Sequence, residues 1–272
     1  MSKAPWQQLA AWLAHEPAVL VTVAQVQGSG PREVGAWMAV TAERFVGTIG
    51  GGHLEHEGLA QARALLLQGS EPVPVLRRYA LGPSLGQCCG GVVHLRYERL
   101  GPADIAELRE RLGGEAQWTP VALFGGGHVG QALVEVLARL SMHLHWIDSR
   151  DGIFPSVLPD NCRSEQVEPV HSAVAELRPG SHVLIMSFSH AEDLDIVAAC
   201  LQRQRERGDL PFIGLIGSKS KWASFRQRLA ARGFSEAELA RVVCPIGVPG
   251  IAGKQPEVIA VAVAAQLLMC GG

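Results

Sequence analysis

The chain has 272 residues, which at roughly 150 residues per domain suits two domains, each able to bury a core. Apolar residues at 47% and charged residues at 18% describe a globular protein. A net charge of −2 supplies no basic field to attract nucleic acid or an anionic membrane, so neither is an expected partner.

The N-terminus, Met1-Ser2-Lys3-Ala4-Pro5-Trp6, has no apolar signal-peptide core. No apolar run reaches the ~18 residues that span a bilayer, so the cytoplasm is the expected compartment. Residues Trp6 to Ala14 read as an amphipathic helix. Ala18 to Val26 follow as a strand that stops at the turn residues Gly28-Ser29-Gly30-Pro31. Trp37–Thr41 and Phe45–Ile49 predict two further strands, and Gly50-Gly51-Gly52 opens a helix over His53–Leu67. Val73–Leu81 and Gly91–Tyr97 predict a strand pair joined by a loop that holds Gln87-Cys88-Cys89-Gly90. Pro102–Leu112 is a polar helix. The turn-rich Gly113-Gly114-Glu115-Ala116-Gln117-Trp118-Thr119 then separates an N-terminal α/β domain, residues 1–113, from a second domain, residues 120–272, with 114–119 as linker.

Beyond the linker, strands and helices alternate: strand Val121–Phe124, helix Val129–Leu140 and strand Leu144–Asp148. A weak strand near Gln166–Val167, a short helix after Ser172, strand His182–Phe188 and helix Asp193–Arg207 come next. Strand Phe212–Gly217, helix Lys221–Arg232 and helix Pro256–Leu268 complete the chain. This alternation predicts a parallel, doubly wound, Rossmann-like sheet.

The motif Gly125-Gly126-Gly127-His128-Val129-Gly130 carries weight through its context, because it sits between a strand and a helix. There Gly125 permits a tight turn, Gly127 lets a phosphate approach the backbone and Gly130 lets helix and strand pack closely. The helix N-terminus offers N–H groups and the positive end of its dipole. His128 is not demanded by the fold and is free to face a ligand. Asp148 ends the next strand, at the position that bonds a ribose in NAD sites, and Arg150 beside it can contact a phosphate instead. Later strands end in Ser189-His190-Ala191-Glu192-Asp193 and Gly217-Ser218-Lys219-Ser220-Lys221, so His190, Ser218 and Lys219 join the candidate ligand-binding residues. The alternatives are a helix-capping network around Ser189 and Asp193, and a solvated Lys219.

Six cysteines, at 88, 89, 162, 200, 244 and 270, show neither zinc spacing nor the density of a disulfide scaffold. Most are expected to be reduced core thiols. Cys88 and Cys89, flanked by Gln87 and two glycines, form the chain's reactive spot, suited to a soft metal or sulfur transfer or else a plain turn. Gly50–Gly52 makes a second anion-suited helix entry, with His53 and Glu57 on one helix face for a divalent ion or for solvent. Arg32 adds a fixed cation to the Gly28–Arg32 loop.

Taken together, Gly28–Arg32, Gly35–Met38, Gly47–Glu55, Gln87–Gly91, Phe124–Gly130, Asp148–Arg150, Ile213–Lys219 and Pro256–Val261 resemble the xanthine dehydrogenase accessory protein family, XdhC/CoxI. The resemblance covers nearly the whole chain. It departs where Ser189-His190 stands in place of a Thr-His pair, and where Gly253-Lys254-Gln255-Pro256 replaces a Thr-Pro helix entry. It implies a chaperone rather than an enzyme, one that binds molybdenum cofactor while a cysteine desulfurase installs its sulfido ligand, then delivers it to xanthine dehydrogenase. On that reading the Rossmann crevice takes the phosphate of molybdopterin, Cys88 or Cys89 contacts molybdenum or its sulfur, and the protein is a homodimer. The competing expectation is an NAD(P)-dependent oxidoreductase with Asp148 on the ribose and His190 as acid/base. A third, a redox or metal sensor built on Cys88 and Cys89, leaves the crevice without a use.

Overall fold

A computed structural model describes residues 5–68, 74–81, 90–112 and 118–270. The chain forms two compact units, Met1–Gly114 and Glu115–Gly272.

The first unit runs α1 (Pro5–Leu13), β1 (Ala18–Gln27), β2 (Trp37–Val40), β3 (Phe45–Gly47), α2 (Gly52–Gln68), β4 (Val75–Ala80) and β5 (Val92–Leu100). A 3-10 turn at Pro102–Asp104 then leads into α3 (Ile105–Leu112). Its sheet has the order β3-β2-β1-β5-β4 and is antiparallel at every pairing. The N-terminal α/β domain is thus built on hairpin-type neighbours. Between β2 and β3, for example, the chain reverses at once, with the Thr41 N–H donating to the Arg44 carbonyl at 2.9 Å, and a reversal that short admits only antiparallel pairing. Alternation along β1 buries both faces of the sheet. Val19, Val21 and Val23 pack with Leu54, Ala62 and Leu65 of α2. Ala18 and Leu20 pack with Leu9 and Leu13 of α1 and Leu108 of α3.

The second unit runs β6 (Thr119–Phe124), α4 (His128–Leu137), β7 (Met142–Asp148), β8 (Cys162–Gln166), a 3-10 turn (Val170–Glu176), β9 (His182–Ile185) and α5 (His190–Arg207). It continues with β10 (Phe212–Leu215), α6 (Lys219–Ala231), α7 (Glu236–Leu239), β11 (Val242–Val243) and α8 (Pro256–Cys270). All pairings are parallel, in the order β8-β7-β6-β9-β10-β11. That is the 3-2-1-4-5-6 order of a Rossmann sheet, with its topological switch between β6 and β9. Helices α4 and α8 cover one face; α5, α6 and the 3-10 turn cover the other. The short α7 and β11 are absent from the sequence reading, although Ser235 and Glu238 spell a capping box that the structure forms on both sides. Strand β9 is also shorter than expected. After Met186, whose N–H still donates to the Phe124 carbonyl at 2.8 Å, Ser187 turns its N–H to the Asp193 carboxylate at 2.9 Å.

Two buried histidines give this unit a pH dependence. His145 in β7 sits between Glu165, 2.6 Å from Nε2, and Arg163, 3.0 Å from Nδ1. Burial, reinforced by Arg163, lowers its pKa against the opposing pull of Glu165. Burial lowers that of His182 as well. In the unfolded chain both protonate near ~6.5, whereas in the fold they stay neutral to lower pH, so stability is lost as pH falls through that window. The thermal midpoint is expected to drop between about pH 7.5 and about pH 5.5, and to drop less in a His145→Gln, His182→Gln double variant. Equal drops in both proteins, followed by calorimetry, would remove these residues from the account.

Candidate functional site

In an open parallel sheet the ligand crevice lies beyond the carboxyl ends of the strands at the switch point, here between the β6 and β9 ends. The β6 strand stops at Gly125, whose φ of +127° lies outside the range L side chains favour. A Cβ there would stand 2.0 Å from the Met186 carbonyl at the end of β9. Gly130, one turn into α4, lies so close to β6 that a Cβ would fall 2.0 Å from the Gly125 carbonyl, which also accepts the Trp146 indole N–H at 2.9 Å. Gly127 differs from both. It is the N-cap of α4, its backbone is extended, no side chain caps the helix there, and nothing lies within 4 Å of its Cβ direction. Helix α4 therefore opens with unspent N–H groups and the positive end of its dipole beside free space, which suits an anion. His128 is the first helical residue and is exposed.

Asp148, at the end of β7, is 2% exposed and fully engaged. One carboxylate oxygen accepts the Gly126 N–H at 2.6 Å and Arg150 Nη2 at 2.8 Å. The other accepts the Arg150 backbone N–H at 2.8 Å and Nε at 2.9 Å. Burial pushes its pKa up, but the bonds from Arg150 and from the two backbone groups outweigh burial and hold it below the usual carboxylate range. The Arg150 guanidinium lies 4.7 Å over the ring of Phe188, which is 65% exposed. Glu192 ties the two sides of the switch point together: it accepts from the Ser149 hydroxyl at 2.7 Å and from the Phe188 N–H at 3.2 Å.

The remaining candidates of this unit fall at two helix starts. Ser189 caps α5, its hydroxyl accepting the Glu192 N–H at 3.2 Å, so the capping network around Ser189 and Asp193 is formed. His190 is exposed at the first position of α5, its ring edge-on to Phe225 at 6.3 Å. Ser218 caps α6 by accepting the Lys221 N–H, which leaves Lys219 exposed at the first helical position. The cation that turns inward is Lys221. Its Nζ donates to the buried Asp193 at 2.6 Å and to the Ile216 carbonyl at 2.9 Å, while Asp193 also accepts from the Ser187 hydroxyl at 2.7 Å. The run Gly217-Ser218-Lys219-Ser220-Lys221 offered two lysines, and only the cap position decides which faces α5. A separate cavity of about 160 Å³ lies at the opposite, amino ends of the strands, lined by His143, His145, Asn161, Arg163 and Arg178 among others.

In the first unit, three glycine-bearing segments come together. A Cβ on Gly50 would stand 2.5 Å from the Pro31 side chain, and one on Gly91 would stand 2.1 Å from the Ser29 carbonyl. Gly50–Gly52, read from sequence as an anion-suited turn, already holds an internal anion. The Glu55 carboxylate accepts from the Ile49 and Gly51 N–H groups, each at 3.1 Å, and from the Thr48 hydroxyl at 2.5 Å. That corrects the expectation, because the helix folds its own carboxylate back over its start. His53 pairs with Glu57 at 3.3 Å on the exposed helix face. Arg32 pairs with its neighbour Glu33, holding that carboxyl down to about 2. Gln87, Cys88 and Cys89 lie outside the described residues, whereas Gly91, just after them, is anchored: its carbonyl accepts the Leu81 N–H at 2.8 Å. Among the described residues no group of three or more His, Cys, Asp or Glu could hold a metal ion. Nor is any helix long and apolar enough to cross a membrane.

An antiparallel three-layer unit followed by a Rossmann unit with an open, anion-suited turn defines a two-unit α/β protein of the Rossmann-like class. The chain belongs to the XdhC and CoxI family: that family matches residues 11–80, and its XdhC Rossmann domain matches residues 121–267. A Bacillus halodurans crystal structure described as a xanthine dehydrogenase superposes with a TM-score of 0.78 at 20% identity, covering 98% of this chain and 96% of that one. The uncharacterized protein YqeB of Escherichia coli K12 is 27% identical over 258 residues, which are 93% of this chain. The chain spans 43% of the length of that curated relative.

Proposed function

We propose that the protein binds molybdenum cofactor, shelters it while a cysteine desulfurase installs the terminal sulfido ligand, and hands it to xanthine dehydrogenase. It acts as a chaperone in the cytoplasm and not as an enzyme. The observation that carries the reading is the open helix start at Gly127, flanked by Arg150, in a chain of the XdhC and CoxI family. Molybdopterin ends in a phosphate, and these groups fit one: α4 presents backbone N–H donors and Arg150 a partly exposed cation. The cofactor when bound supplies the molybdenum centre. Gly125, Gly127, His128, Gly130 and Arg150 hold and orient its phosphate-bearing part, with His190 and Lys219 at the neighbouring helix starts. Cys88 and Cys89 are assigned to the molybdenum or its sulfur. The competing reading as an NAD-dependent oxidoreductase needs Asp148 free for a ribose diol, and its oxygens are taken.

Purified protein incubated separately with molybdenum cofactor and with NAD(H), then desalted, is expected to retain molybdenum. Retention of NAD(H) without molybdenum overturns the proposal. The Cys88→Ala, Cys89→Ala double variant is expected to lose about tenfold or more of molybdenum affinity while keeping its thermal midpoint. Unchanged retention takes the thiols out of the site.

A further inference from the structure

We propose that Arg150 makes the β7 end a selector for a phosphomonoester borne by a flat nitrogen heterocycle, and against a ribose diol. This rests on the crevice being the ligand site. A carboxylate has about four acceptor positions, and the four bonds from Gly126 and Arg150 use those of Asp148. A diol hydroxyl arriving there has no oxygen left to donate to without displacing the guanidinium. Displacement is costly, because Asp148 is buried and ionised and would lose two charge-assisted bonds at once.

The same geometry leaves Arg150 able to serve a ligand. A guanidinium carries five N–H groups; Asp148 takes one from Nε and one from Nη2, leaving three pointing elsewhere. With Asp148 holding the other edge, the fork is pre-oriented, and phosphate recognition by an oriented fork is bidentate. Because one oxygen of Asp148 accepts both Gly126 N–H and Arg150 Nη2, the cation is fixed beside the β6 turn. The ring of Phe188 backs the guanidinium, and 65% of that residue stays exposed. Glu192 holds the Phe188 backbone in place through its N–H. An exposed ring beside a stacked guanidinium is a platform for a flat heterocycle. Both a pterin phosphate and an adenosine 2′-phosphate carry this chemistry.

The test uses two probes that differ in the position of one phosphate, 2′,5′-ADP, which carries it as a 2′-phosphomonoester, and 5′-ADP, which carries it on the 5′ chain and keeps the free diol, measured by calorimetric titration of the full chain. The expected result is that the full chain binds 2′,5′-ADP about tenfold or more tightly than 5′-ADP. Arg150→Ala is expected to abolish or reverse that preference, since Asp148 is then exposed to the diol. Phe188→Ala, at an exposed position where folding is not at stake, is expected to weaken 2′,5′-ADP about tenfold while leaving inorganic phosphate binding unchanged. Preference of the unaltered chain for 5′-ADP, or an unchanged preference in Arg150→Ala, overturns the inference. Retained molybdenum against retained NADPH, on the same preparation, tells the pterin source from the dinucleotide. If molybdenum is retained and Arg150→Ala changes nothing, this inference fails and the chaperone reading stands. If the phosphomonoester is selected and molybdenum is never retained, the chaperone reading fails and this one stands.

Discussion

Gly130→Ala is expected to destabilise the second unit by roughly 3 kcal/mol, lowering its thermal midpoint by about 6–12 °C, and to abolish ligand retention. The added methyl would stand 2.0 Å from the Gly125 carbonyl. That oxygen cannot retreat, since it is hydrogen-bonded to the buried Trp146 indole and belongs to a glycine whose own φ is set by the approach of Met186. Helix α4 must therefore move off the sheet, opening the packed layer that holds Leu133 and Leu137. Gly127→Ala is the control. It faces open space, so its cost is expected to stay within about 1 kcal/mol. Circular dichroism melts of the two variants check the contrast, and matching midpoints would falsify the close-approach explanation.

Asp193→Ala is expected to cost roughly 3–5 kcal/mol, the range for breaking one side of a buried ion pair. Its carboxylate is 3% exposed, and its loss leaves the Lys221 ammonium with the Ile216 carbonyl and the Phe225 ring but no counter-charge. Ser187 loses the acceptor of its N–H and the nearer acceptor of its hydroxyl, which keeps only the Ser189 carbonyl at 3.2 Å, so the segment that follows β9 into the crevice loosens as well. Since the charges are costly to bury in the first place, the Asp193→Leu, Lys221→Met double variant is expected to recover most of the loss. Denaturant titration of the single and double variants measures this. If Asp193→Ala costs no more than a surface substitution, the pair is not buried in solution.

The Rossmann unit was legible because its signals are local. A strand running into Gly125-Gly126-Gly127-His128-Val129-Gly130 and then an apolar helix implies the turn, and the alternation of strands and helices implies a parallel sheet. The structure has both, in the 3-2-1-4-5-6 order. The hairpin pairing of β4 with β5 was legible for the same reason. Short pieces without a period, α7 and β11, were not, since two strand residues carry no alternation to read.

The candidate site divides along the same line. The turn and its role for each glycine could be read from residue types and spacing, because tight turns and close approaches depend on the missing side chain itself. What only the tertiary structure decided is who partners whom. Asp148 looked available for a ribose until Arg150 and Gly126 were seen to use its oxygens. The Gly50–Gly52 turn looked vacant until Glu55 was found folded over it. Lys219 was the lysine the sequence put forward, whereas α5 brings Asp193 to Lys221. Local backbone chemistry is written in neighbouring residues, whereas the satisfaction of a buried charge depends on atoms that only packing brings within 3 Å.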